Sequence, residues 1–103
     1  MYVAIRLYDG VKSPDEATAK VQKEFLPVIS AVPGFHEYYA VKTGDGTMAS
    51  VSVFKDKPGS DASVQAATKW VKENMSTFLP NPPKVINGEM VAHRITETKK
   101  VAA

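Results

Sequence analysis

Arg6 stands in the middle of Tyr2-Val3-Ala4-Ile5-Arg6-Leu7-Tyr8, a stretch otherwise apolar or aromatic. A guanidinium inside a buried strand needs an anionic partner, because dehydrating it alone is costly. Arg6 is therefore expected either to bind an anionic or enolate substrate or to pair with Glu37 or Glu89. Trp70 and Asn74 lie one helical turn apart, beside an apolar stripe, where a pocket between helix and sheet would find its wall. Tyr38 and Tyr39 point to opposite faces of a strand, and either hydroxyl could orient a phenol. Plainer readings stand beside these: Trp70 covering the core edge, Asn74 in solvent, and tyrosines that only pack.

His36 and His93 are the only histidines, and they fall on opposite edge strands of the expected sheet. They cannot share a metal within one subunit, and neither has an acidic residue at ligand spacing, so no metal site is expected. His93 could serve as a general base, against the commoner role of a structural or exposed histidine. Cysteine is absent, which excludes disulfides, thiolate zinc sites and cysteine nucleophiles. Gly44-Asp45-Gly46 falls in a hairpin rather than before a helix, so it is no phosphate loop. No Gly-x-Ser-x-Gly elbow occurs.

The elements that must position these groups follow from patterning. Tyr2 to Tyr8 alternates with period two, a strand. Ser13-Pro14-Asp15-Glu16 predicts a helix start in which Ser13 caps and Glu16 completes a capping box. Ala17, Val21, Phe25, Val28, Ile29 and Val32 form its buried stripe, and Pro27 predicts a kink or an early end. Phe35, Glu37, Tyr39 and Val41 share one face of the second strand. The following turn is either a two-residue Asp45-Gly46 turn or a three-residue loop closing on Gly46, and the two differ by one residue of register. Ser60 is expected to cap the second helix, with Val64, Ala67, Val71, Met75 and Phe78 as its stripe. The last strand is expected from about Lys84 to Arg94, bulged at Asn87-Gly88.

Strand-helix-strand twice over predicts an α+β, ferredoxin-like βαββαβ fold. It is a four-stranded antiparallel sheet with both helices on one face and the first and third strands central. The 103 residues read as one domain over 1–95 with a tail over 96–103. Net charge is +2 without basic clustering, and the third strand lacks a basic-aromatic motif, so no nucleic-acid partner is expected. No apolar run is long enough to span a membrane, and Arg6 interrupts any signal-peptide core, so a cytoplasmic protein is expected.

Two helices cover one sheet face only, yet both faces of the first strand and most of the third are apolar. An exposed face carrying several aromatics would mark an interface, which predicts a homodimer through the open sheet face.

Taken together, Pro33-Gly34-Phe35 with Tyr38, Gly44-Asp45-Gly46, Ser50-Val51-Ser52-Val53-Phe54, the Ala67-to-Asn74 helix with Trp70, Asn81-Pro82-Pro83 and Gly88-Glu89 resemble the antibiotic-biosynthesis-monooxygenase-like family of dimeric α/β barrels. The resemblance implies a small protein that binds a phenolic or other aromatic molecule between helices and sheet, oxidising it as a monooxygenase without any cofactor. A non-catalytic ligand-binding or scaffold protein of the same fold is the alternative. Oxygenating members place a tryptophan and an asparagine on the second helix beside the substrate, which points to Trp70 and Asn74. Heme-degrading members carry an iron-ligating histidine there, and none occurs from Ser60 to Pro80.

Overall fold

A computed structural model describes residues 1–96. Strand β1 (Tyr2–Tyr8) leads through a loop to α1 (Pro14–Lys20), a π-helical turn (Val21–Phe25) and α2 (Leu26–Ser30). Strands β2 (Phe35–Gly44) and β3 (Thr47–Phe54) form a hairpin, α3 (Lys57–Asn74) crosses back, and β4 (Lys84–Glu89) closes the sheet. The strand order is β2-β3-β1-β4, all antiparallel, with β3 and β1 central. This is the ferredoxin-like arrangement expected from the sequence. No helix among the described residues is long and apolar enough to cross a membrane.

The first helical segment starts differently from its sequence signature. Ser13 is left-handed (φ 48°) and its side chain accepts no capping bond; its carbonyl receives the Ala17 N–H at 2.9 Å instead. A side-chain cap needs extended backbone, which Ser13 does not have. Pro27 does not end the helix. The π turn widens the spiral just before it, which accommodates the missing donor and the ring.

Helix α3 begins three residues earlier than Ser60. Asp56 is the cap, its carboxylate accepting the Gly59 N–H at 3.0 Å, and Pro58 fits the first turn. Ser60 is instead buried and donates its hydroxyl to Asn87 Oδ1 at 3.0 Å, tying the helix to β4. Gly59 belongs there because of close approach: a Cβ would stand 2.9 Å from the Pro33 carbonyl oxygen and 3.2 Å from the Phe54 ring.

At the hairpin, Gly44 pairs with Thr47, so Asp45-Gly46 is a two-residue turn with Gly46 left-handed (φ 70°). One extra residue enters β2 between Lys42 and Gly44, and another between Phe35 and Glu37. The second bulge moves Phe35 off the Glu37 face, so that it packs edge-on against Phe54 at 5.8 Å. Strand β4 carries no bulge at Asn87-Gly88, and it stops at Glu89 rather than Arg94. Its one neighbour among the described residues, β1, begins at Tyr2, and a last bond joins Met90 N–H to the Met1 carbonyl. The expected tail over 96–103 lies, beyond Thr96, outside the described residues.

The core fills the space between sheet and helices, around Phe25, Ile29, Phe54, Ala67, Trp70 and Met75. The buried face of α3 runs through Gly59, Ser60, Ser63, Ala67 and Trp70. Small residues let the helix lie close to the sheet, which rotates Trp70 from the stripe's edge into its centre.

Candidate functional site

Alternation along β1 puts Ala4, Arg6 and Tyr8 under the helices, all buried. Arg6 is 2% exposed. Cross-strand pairing sets it beside Ser50, and Ser50 beside Ala40, while Tyr38 pairs with Ser52. These residues meet Phe25 and the π turn from one side and Trp70 and Met75 of the α3 end from the other. Together they enclose a cavity of about 30 Å³. That volume holds a water or two, so a larger guest enters only if the walls part.

The polar groups on this cavity are Arg6, Tyr8, Tyr38 and Ser50. Nε and Nη1 of Arg6 and the buried Ser52 hydroxyl have no hydrogen-bond partner, while the Tyr8 and Tyr38 hydroxyls lie against the guanidinium and Tyr38 lies against Ser50. The expected carboxylate partners lie elsewhere. Glu37 accepts the Tyr39 hydroxyl at 2.9 Å on the opposite sheet face. Glu89 pairs across from Tyr2 at the exposed end of β4. No carboxylate bridges Arg6 among the described residues.

Burial pushes the Tyr8 and Tyr38 hydroxyls above the ordinary 10.0, and the Arg6 charge opposes this without prevailing. Both phenols are thus neutral donors at physiological pH. A guanidinium with no carboxylate partner among the described residues, flanked by two neutral hydroxyls and a serine, can receive an oxyanion. Among the cavity-lining residues there is no carboxylate or histidine.

Of the five candidates read from the sequence, Arg6, Tyr38 and Trp70 line one cavity. Asn74 and His93 do not line it. The Asn74 amide donates to the Trp70 carbonyl at 3.0 Å one turn back, near the exposed end of α3. His93 follows the end of β4 and is exposed, because the sheet has run out of strand there. Tyr8 and Ser50 were missed. Tyr8 was legible, two residues from Arg6 on the same strand face; Ser50 depended on hairpin register.

No family model matches this chain, and no curated protein does. Solved structures do. A protein of unknown function from Nitrosomonas europaea superposes with a TM-score of 0.71 at 24% identity, covering 94% of this chain and 96% of its own. A monooxygenase from Streptomyces coelicolor, in complex with nanaomycin D, gives 0.69 at 18% identity, with 92% of each chain covered. A dimeric ferredoxin-like protein from an uncultured marine organism gives 0.68 at 14%, covering 92% and 98%. A variant of the protein MhuD with manganese protoporphyrin IX bound gives 0.71 at 12%, covering 93% and 100%. The chain has the ferredoxin-like fold of the antibiotic biosynthesis monooxygenases. The resemblance read from the sequence holds at the level of that fold.

Proposed function

We propose that this protein binds a phenolic small molecule as its anion against Arg6 and oxygenates it without a cofactor. The observation that carries the reading is a guanidinium 2% exposed, with Nε and Nη1 unpartnered, on a cavity that contains no carboxylate. A buried, unpaired charge is expensive and is the natural mate of an oxyanion.

The chemistry asks little of the protein. Arg6, with Tyr8 and Tyr38 as neutral donors, stabilises the phenolate and lowers the pKa of the bound phenol, so the proton leaves to water. The electron-rich ring carbon then reacts with dioxygen. A carbon–oxygen bond forms, the O–O bond breaks, and phenol plus O2 become quinone plus water. The phenol supplies all four electrons. Once the walls part to admit it, Phe25, Trp70 and Met48 flank the ring and keep bulk water out. The active form is a homodimer joined through the open sheet face, on which Tyr39 and Ile86 are 51% and 46% exposed.

The second reading, a ligand-binding or scaffold protein, is favoured by the small cavity volume. An oxygen electrode separates the two. Incubation with a panel of phenols and hydroquinones should consume one O2 per quinone formed, and Arg6→Met should abolish uptake. Tight, Arg6-dependent phenol binding without uptake would leave only a binder. Absence of both binding and uptake across the panel would sink the proposal.

A further inference from the structure

The walls of the Arg6 cavity are not equally fastened. Of its lining residues Ala40, on edge strand β2, is the exposed one, and Val21 and Tyr38 beside it are half-buried. These three side chains also line a groove of about 210 Å³ on the outer side, rimmed by Thr18, Gln22 and Leu26. A second groove, of about 260 Å³, adjoins the cavity from the end of α3 and shares Tyr8, Val71 and Leu79 with it. On that α3 side Tyr8 and Leu79 are buried. The Lys12 N–H donates to the Phe78 carbonyl there at 2.8 Å, and the Asn81 amide donates to Asp9 at 2.9 Å. On the β2 side no backbone hydrogen bond joins residues 14–25 to β2 among the described residues. One side-chain contact does: the Lys42 ammonium donates to the Asp15 carboxylate at 3.0 Å, with both groups exposed. It is the one ion pair among the described residues that joins helix to sheet, since the others span a single helical turn.

We infer that the cavity fills from the β2 side, between Val21 and Ala40, with the Lys42–Asp15 pair as a strap across this mouth and the side chain at position 40 deciding what passes. Asp15 and Thr18 share a helix face, and Ala40 and Lys42 share a strand face, so the strap closes the rim of the groove itself. A guest larger than water must displace a wall, and the wall held by least yields first. Opening the α3 side breaks a backbone hydrogen bond and uncovers Tyr8 and Leu79. Opening the β2 side breaks one exposed ion pair, which contributes little and is screened by salt. Val21 begins the π turn and Phe25 ends it, so a small swing of this one turn draws two cavity walls back together. The inference concerns entry alone and holds whether the guest is oxidised or only bound.

Trp70 is the single tryptophan of the chain and lines the cavity, so acrylamide quenching of its fluorescence reads entry without any ligand for Arg6. Lys42→Ala and Asp15→Asn should each raise the bimolecular quenching constant about two- to fivefold, the range that an exposed ion pair allows. Sodium chloride at about 1 M should do the same to the parent chain and nothing further to Lys42→Ala. Ala40→Leu should lower the constant severalfold by filling the mouth. Thr68→Leu, on the groove at the α3 side, should leave it unchanged. All four positions are exposed, so each variant should fold, which urea midpoints check. A constant lowered by Thr68→Leu and not by Ala40→Leu would overturn the inference and move entry to the α3 side. A constant indifferent both to Lys42→Ala and to salt would remove the strap. Trp70 emission that acrylamide fails to quench in every one of these chains would remove the mouth itself.

Discussion

Phe25 and Trp70 meet with ring centroids 5.0 Å apart, inclined by 40°, where the π turn faces the C-terminal half of α3. Phe25 also meets Tyr38 edge-on at 5.6 Å. Three aromatic side chains from three elements therefore close the apolar side of the Arg6 cavity. The contact makes Trp70 a core residue and a cavity wall at once.

Trp70 should report both roles. Being 9% exposed, it should emit blue-shifted fluorescence that moves red on urea unfolding. Trp70→Ala should cost about 3–5 kcal/mol of stability by denaturant titration. Trp70→Phe should cost roughly 1 kcal/mol and also weaken phenol binding. A Phe variant with unchanged stability would show that the indole is not part of the core.

Arg6→Met should leave stability unchanged or raise it by about 1–2 kcal/mol, since an unpaired buried charge is replaced by apolar volume. The urea midpoint checks this. A loss of 3 kcal/mol or more would mean that the guanidinium has a structural partner, and the oxyanion site would lose its main support.

The phenols predict an alkaline limit to stability. Their folded pKa values are raised above 10.0 by burial. Between the unfolded and folded values the unfolded chain has lost protons that the native state keeps, so stability falls as pH rises. It is fully present below about pH 10 and declines as pH climbs through the folded values. Tyr8→Phe with Tyr38→Phe should flatten the decline measured by urea midpoints above pH 10.0. An equally steep decline in the double variant would assign it to other groups.

The start of α3 offers a test of sign. Gly→Ala inside a helix ordinarily stabilises by about 1 kcal/mol. Gly59→Ala should destabilise, because its Cβ meets the Pro33 carbonyl at 2.9 Å. Asp56→Ala should cost about 1 kcal/mol by removing the cap on the Gly59 N–H. Thermal unfolding of the two variants checks both, and a more stable Gly59→Ala would show that the loop before β2 yields.

Element type and order were determined by the sequence itself. Period-two and helical spacing are local properties, and Pro58, Gly46 and the apolar character of both faces of β1 act through their own backbone or their immediate neighbours. From these follow the four strands, the helical layer and an open face too apolar for solvent. What the tertiary structure decided were offsets of a single residue, to which local patterns are blind. A bulge between Phe35 and Glu37 sends Phe35 into the core, leaving Tyr39 as the one aromatic side chain among the described residues that pair on the open sheet face. Close approach through Gly59, Ser60 and Ser63 rotates α3 and brings Trp70 inward. The end of β1 stops β4 short of His93. Above all, a charge's partner is chosen across space: nothing along the chain says that Glu37 lies on the far side of the sheet from Arg6, which leaves the guanidinium without a carboxylate partner among the described residues.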